Sequence, residues 1–324
     1  MTVFARVMLF LLSIFILVAS PVYGAEEVPQ LFPGSRNPMK KWEVEEIADG
    51  IYGFRYTFYR DIFIVTDDGV IVTDPLNKEA ANILREEIRK ITDQPVKYVA
   101  YTHSHWDHVS GGQVFKDEGA EFIAQEECAE HFLEAPNPDV VYPDVTYRDR
   151  YRITLGGKSL EMYYFGPSHD SCLVVMRIEP ANMLFLVDIA NPPDGWAMFY
   201  NPAVSEDRVW HMVPFFTRVQ ALIDEKNIET VIGGHMTMGI DPETGRRGIV
   251  PGLMGPATVV AERRDFWQSM IDAVKAEMAA GTPASQVPDR IVEQGILKDQ
   301  ISGYDPDQMR ILARRITSYV QTGE

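Results

Sequence analysis

Positive charge, cysteine and long apolar runs are what this 324-residue chain has little of. Its 30 Lys and Arg stand against 47 Asp and Glu, a formal charge of −17. Phosphate recognition depends on counterion release at Lys and Arg, so this balance argues against a nucleic-acid partner. Two cysteines are too few for a disulfide-built scaffold, and 23 glycines are too few for a collagen-like fibre. At 46% hydrophobic residues the chain is too apolar to stay disordered. These exclusions leave a globular protein long enough to bury a substantial core. No Gly-x-Ser-x-Gly occurs, so nothing suggests a serine nucleophile on a strand-to-helix elbow.

The one long apolar run stands at the N-terminus. Arg6 precedes an apolar stretch over 7–20, small residues lead to Gly24, and acidic residues follow at Glu26 and Glu27. A basic start, a short apolar middle and a small-residue cut describe a secretory signal peptide over residues 1–24. The alternative is an uncleaved anchor, because a bilayer takes roughly 20 residues of helix and residues 3–23 just suffice. With cleavage the mature chain is expected in the periplasm or outside the cell, without stable membrane insertion. Disulfides are permitted there, and the pairing of Cys128 with Cys172 is left open.

Beyond a Pro- and Lys-containing leader at 29–41, β-type runs begin at 51–56. Residues 62–66 and 70–73 form a hairpin across Asp67-Asp68-Gly69. Ala80, Ile83, Leu84, Ile88 and Ile91 fall on one face of a helix over 78–91, and a buried strand follows at 96–102. Residues 134–150, rich in Pro, Asn and Asp, are predicted as a loop. Strands are predicted at 159–165, 172–178 and 183–187, a second Pro-rich loop at 191–200, a helix over 206–225 and a strand at 230–233. The tail is helical, with Asp305-Pro306 opening a last helix that turns Met309, Leu312, Ile316 and Val320 inward. The stripes of the tail read as core packing.

At the exit of the strand over 96–102 stands Thr102-His103-Ser104-His105-Trp106-Asp107-His108. Four candidate ligands in six residues bring little apolar packing, so as an accident they would be costly. In an extended turn His103 and His105 point to one side, while Asp107 and His108, opening the next helix, point to a neighbouring position. This segment resembles the His-x-His-x-Asp-His signature of the metallo-β-lactamase-fold superfamily. The resemblance extends to Asp74 at the end of the first hairpin, to Gly166-Pro167-Ser168-His169, to Phe185-Leu186-Val187-Asp188 and to Gly233-Gly234-His235.

The resemblance implies an αββα sandwich of two mixed β-sheets flanked by helices, with a catalytic domain over 25–256 and extra C-terminal helices over 257–324 packed on it. It also implies that His103, His105 and His169 hold one metal ion, that Asp107, His108 and His235 hold a second, and that Asp188 bridges them. Asp74 would sit behind the ligands and orient them. His131 and His211 match no motif. Histidine and carboxylate without thiolate suit zinc, two ions per subunit, with iron and manganese also compatible. The implied chemistry is hydrolysis of an ester, lactone or amide, β-lactams included, by a hydroxide bridging the ions, with Asp107 as proton acceptor or relay. Alternatives within the same fold are a thioesterase, a mononuclear iron sulfur dioxygenase and a metal-binding relay protein without turnover.

Substrate class is read from a second absence. Between Arg177 and Arg208 there is no Lys or Arg, only Asn191, Trp196, Phe199 and Tyr200 as candidate pocket residues. Such a loop favours a small neutral or apolar substrate over a dicarboxylate or a phosphate.

Overall fold

The computed structural model describes residues 22–24, 40–190, 192–198, 208–240, 247–250 and 254–323. The first sheet has eight strands in chain order: β1 (Val22–Gly24), β2 (Trp42–Ala48), β3 (Ile51–Tyr56), β4 (Tyr59–Thr66), β5 (Gly69–Thr73), β6 (Val96–Ala100), β7 (Glu121–Gln125) and β8 (Val145–Tyr147). Up to β5 neighbouring strands run antiparallel. From β5 onward they run parallel, because helical connections intervene: α1 (Lys78–Ile91), then α2 (Trp106–Val109) and α3 (Gln113–Asp117), then α4 (Glu126–Glu134). The second sheet contains β9 (Arg150–Leu155), β10 (Lys158–Tyr164), β11 (Val174–Glu179), β12 (Met183–Leu186), β13 (Thr230–Gly233) and β16 (Met254–Pro256). Its parallel pair is β12 with β13, joined through α5 (Val209–Lys226). A separate hairpin pairs β14 (Thr237–Ile240) with β15 (Arg247–Val250), and three helices close the chain: α6 (Thr258–Ala279), α7 (Val287–Glu293) and α8 (Pro306–Thr322).

Period-two alternation sends each strand's side chains into two different cores. In β4 and β5, Ile62, Ile64 and Ile71 meet Met162, Val174, Met176 and Phe185 of the second sheet, forming the layer between the sheets. Phe63, Val70 and Val72, on the other face, pack against Leu84 and Ile88 of α1 and Phe115 of α3. In the second sheet Val175, Leu184 and Leu186 turn outward onto α5, α6 and α8. The result is the expected αββα sandwich of two mixed sheets. Each fully buried Ile, Leu or Phe in these layers contributes about 1.5–3 kcal/mol.

The helix expected over 78–91 has those bounds, with Asn77 as N-cap accepting from the Glu79 and Ala80 amides. Asp305 caps α8 in the same way. The segment 134–150, expected as loop throughout, contains β8, and β2, β7, α4 and β9 were not anticipated. Their periodicity is brief or broken, as in the nine-residue α4 that opens directly after its cap Gln125. Cys128 and Cys172 form a disulfide that ties α4 to the residues entering β11, 44 positions apart. Closing a loop of that length stabilises a chain by about 4 kcal/mol in the chain-entropy account. Of the segment read as a signal peptide, residues 22–24 add an edge strand to β2, and residues 1–21 lie outside the described residues. No described helix is long and apolar enough to cross a membrane.

The C-terminal helices grip the loop that follows Asp188. Gly195 donates its amide to Glu262 Oε2 (2.9 Å), Arg263 Nη2 donates to the Ala197 carbonyl (2.9 Å), and Ser302 exchanges backbone hydrogen bonds with Trp196 and Met198. Gly195 lies so close to α6 that a Cβ there would stand 2.5 Å from both Glu262 Cβ and the Val259 carbonyl oxygen. Gly195→Ala is therefore expected to destabilise the fold by about 1–3 kcal/mol through overpacking against backbone. Urea unfolding measures it, and an unchanged midpoint would show that the loop yields freely.

Candidate metal centre

The site is assembled where strands of both sheets end. β6 delivers Tyr101 and Thr102, and the turn after it carries His103 and His105 into the single turn of α2, which holds His108. From the second sheet, the loop between β10 and β11 brings His169, the end of β12 brings Asp188, and the end of β13 brings His235. Asp188 adopts φ +65°, a left-handed conformation that is uncommon for a non-glycine residue and that turns the chain sharply at the strand end. Gly234 has no room for a side chain, because a Cβ would lie 2.7 Å from Val187 Cγ1 and 2.9 Å from Val187 Cα. Close approach of these two strand ends therefore requires glycine beside His235.

Two groups of candidate ligand atoms meet at Asp188, each within 4.8 Å: His103, His105, His169 and Asp188 in one, and His108, Asp188 and His235 in the other; a third sets Asp74 beside His103 and His108. Asp188 Oδ2 lies 3.2 Å from His103 Nε2, 3.4 Å from His169 Nε2 and 3.4 Å from His108 Nε2, and Oδ1 meets His235 Nε2. Between imidazoles, His169 Nε2 is 3.2 Å from His105 Nδ1, and His108 Nε2 is 3.1 Å from His235 Nε2. Nitrogens bound tetrahedrally to one zinc stand about 3.3 Å apart, given Zn–N bonds near 2.0–2.1 Å. His103 Nε2 and Asp188 Oδ1 are buried and make no hydrogen bond among the described residues. Buried polar atoms of this kind are normally satisfied, so the donor set fits metal ions.

Behind the ligands, Asp74 is fully buried and organises two of them. Its Oδ1 accepts from the Thr102 amide (2.8 Å) and its Oδ2 from Thr102 Oγ1 (2.5 Å). The threonine's only proton is thereby committed, so at 2.9 Å its oxygen accepts from His103 Nδ1–H. That tautomer leaves the His103 Nε2 lone pair facing the centre. His108 turns Nδ1 toward Asp74 Oδ2 at 3.5 Å and Nε2 toward Asp188. A further acidic group, Asp61, lies fully buried beside this assembly, and neither of its oxygens makes a hydrogen bond among the described residues.

Charges follow from this packing. Burial pushes Asp188 up, but His108 and His235 outweigh it and hold the carboxyl well below its usual range. Burial pulls His108 down, and the Asp188 and Asp74 carboxylates more than reverse that, raising it well above the usual imidazole range. For His105, burial and then the imidazoles of His103 and His169 lower the pKa to about 3, so its ring is neutral near pH 7.

A family model described as "Metallo-beta-lactamase superfamily" matches residues 58–235, more than half of the chain. The chain belongs to that superfamily. It is 25% identical over 174 residues to the 2,4-dinitroanisole O-demethylase subunit alpha of Nocardioides sp. (strain JS1661), covering 53% of this chain and 50% of that protein. It is 27% identical over 154 residues to a metallo-beta-lactamase type 2 of Elizabethkingia meningoseptica, covering 44% of this chain and 59% of that one. The chain thus spans between half and three-fifths of the length of these two relatives. Among solved structures, a metallo-beta-lactamase from Pontibacter korlensis superposes with a TM-score of 0.57 at 19% identity, over 70% of this chain and 99% of that one. The DIM-1 metallo-beta-lactamase exposed to ceftazidime gives 0.57 at 15% identity, over 70% of this chain and 97% of the other. Helices α6 to α8 begin after the family match ends.

Not every anticipated residue joins the cluster. Asp107 is exposed and falls in neither ligand group; it faces the Tyr59 hydroxyl at the rim. The ring of Trp196 packs against Phe266 of α6 (6.0 Å between centroids), so packing describes it better than a pocket wall does. Asn191, Phe199 and Tyr200 lie outside the described residues. His131 and His211 lie on α4 and α5, in neither ligand group. Tyr59 was not anticipated: its ring stacks edge-on against His235 (4.9 Å) and His108 (5.7 Å). The residues that hold it there are its neighbours, since the Arg60 amide donates to the Gly234 carbonyl (2.7 Å) and the Met236 amide to that of Phe58 (3.0 Å). Nothing in the sequence around Tyr59 marks it, because the strand pairing that makes it a neighbour of His235 is non-local.

Asp61 yields a pH prediction. Burial, and then the Asp74 charge, raise its pKa well above the ordinary 3.8, so the folded state keeps a proton that the unfolded chain gives up. Stability contributed by that proton is present below about pH 4 and is lost as pH rises through the folded value. Asp61→Asn is expected to stabilise the metal-free protein at pH 8 by about 1 kcal/mol or more, with the gain shrinking toward pH 4. Thermal unfolding of both proteins across that range checks it; a variant no more stable at pH 8 contradicts it.

Proposed function

We propose that this protein is a metal-dependent hydrolase that holds two zinc ions and cleaves an ester, lactone or amide bond, β-lactams included, in a small neutral or apolar substrate. The observation that carries the reading is the convergence of five imidazoles on the buried carboxylate of Asp188. His103, His105 and His169 would hold one ion and His108 and His235 the other, with Asp188 between them. When bound, such ions lower the pKa of water toward neutrality and polarise the oxygen of the bond under attack.

The chain's own groups supply the rest. Asp107, exposed at the rim and outside the ligand groups, is free to exchange a proton with the leaving group. Burial and then the Asp107 charge push the Tyr59 phenol up to about 12, so it stays protonated and donates a hydrogen bond at neutral pH. Trp106, between His105 and Asp107, leaves 51% of its surface open and offers an apolar face at the entrance. The closed Cys128–Cys172 bond supports action in an oxidising compartment, the periplasm or the cell exterior.

Metal analysis of the purified protein tests the reading first, with two zinc per chain expected and one iron favouring sulfur dioxygenation instead. A panel of nitrocefin, a γ-lactone, a thioester, an aryl ester and 2,4-dinitroanisole, the compound in the name of the Nocardioides relative, then identifies the bond. His235→Ala is expected to lose one metal and about 100-fold or more in kcat/KM. Asp107→Ala is expected to keep both metals and lose about 100-fold in kcat. A zinc-loaded protein inert toward the whole panel would overturn the hydrolase assignment.

A further inference from the structure

One carboxylate close to the cluster belongs to no ligand group. Asp170, directly after His169, is nearly buried, and its two oxygens collect four hydrogen bonds. Oδ2 accepts from the Ser104 amide (2.8 Å) and from Ser104 Oγ (2.6 Å). Oδ1 accepts from Ser171 Oγ (2.9 Å) and from the Ser171 amide. A carboxylate offers about four lone-pair positions, so this one is saturated. Ser104 is the residue between His103 and His105. The residue after the third histidine therefore holds the spacer between the first two.

The loop carrying Asp170 is itself fixed. Cys172, two residues on, is bonded to Cys128 of α4. Tyr164 Oη donates to the Ser171 carbonyl (2.6 Å), and the Val174 amide donates to the carbonyl of Thr102, the residue preceding His103 (2.8 Å). We propose that Asp170 is a positioning residue that locks the His103–His105 turn against the His169 loop, with the Cys128–Cys172 bond anchoring that loop, so that the three-histidine site is preformed before an ion arrives. The inference rests on the reading that these histidines bind metal. Preformed ligand geometry raises affinity because less ordering remains to be done on binding.

The test measures zinc affinity by competition with a chromophoric chelator, the visible absorption bands of the Co(II)-substituted protein, and the melting temperature of the metal-free protein. Asp170→Asn places an amide NH2 against one serine's donors while preserving shape. It is expected to weaken the tighter zinc about 10- to 100-fold and to alter the Co(II) bands, with the metal-free melting temperature little changed. Ser104→Ala is expected to lose less, Ser104→Thr to recover most of that loss, and Cys128→Ala/Cys172→Ala to weaken zinc in the same direction. Wild-type affinity and an unchanged Co(II) spectrum in Asp170→Asn overturn the proposal. So does a loss of affinity that only follows a fall in melting temperature. If Asp170→Asn does not fold, Ser104→Ala decides, and wild-type affinity there also overturns the proposal. A wild-type protein that takes up neither zinc nor cobalt overturns the metal reading itself, a result distinct from all of these.

Discussion

The buried charge of Asp188 is the constraint around which the site is arranged. Its side chain is only 8% exposed, and a carboxylate removed from water without compensation costs several kcal/mol. The compensation comes from every side: His103, His169 and His108 stand near one oxygen and His235 at the other. Those imidazoles in turn crowd each other, which is unfavourable for protonated rings and acceptable for neutral ones sharing metal ions. The same atoms that are poorly satisfied as a protein interior are well matched as a ligand set. Stability and function oppose each other here, and the fold tolerates the conflict because the layers on either side of it are densely apolar.

Those layers also explain how distant residues meet. β4, β5, β11 and β12 each send alternate residues to the central layer and to a flanking helix layer, which fixes register on both faces. Once register is fixed, strand ends are fixed too, and the ends of β6, β12 and β13 present their loops at one edge. Local features refine the meeting: the left-handed turn at Asp188, the absent side chain at Gly234, and the Asp74–Thr102 pair that selects the tautomer of His103. Each helps determine where a candidate ligand atom points.

The candidate ligands were legible in the sequence because the His103–His108 cluster is chemically unusual at a strand exit and the remaining motifs follow it in the order of the family it resembles. His103, His105, His108, His169, Asp188 and His235 could be named without coordinates because they stand where the motifs of the resemblance stand, and the layered architecture was implied by the same resemblance. Asp107 belongs to the same motif, and spacing along the chain does not show that its side chain is exposed and faces Tyr59. Tyr59, Asp61, Asp170 and Ser104 were not legible. Their significance depends on non-local neighbours, the bridge between residues 59 and 235, the Asp74 charge near Asp61 and the hydrogen bonds between 104 and 170, and ordinary tyrosines, aspartates and serines carry no periodic signal. The disulfide was undecidable for a similar reason, since two cysteines allow a pair without requiring one.

The C-terminal helices bear on a loop that follows Asp188 in the chain. The family match stops at residue 235, yet α6 and the residues before α8 hold the loop at 194–198, which begins six residues after Asp188. Backbone hydrogen bonds with Ser302, a carboxylate from Glu262 and a guanidinium from Arg263 leave that loop few alternative conformations. A loop fixed by an added helical layer can be reshaped through that layer. Ligand geometry answers to Asp74, Asp170 and the strand ends, whereas loop geometry answers to α6 and to Ser302 before α8. The two sets share few residues. Changes in one therefore need not disturb the other, a physical route by which one metal-binding scaffold serves many reactions.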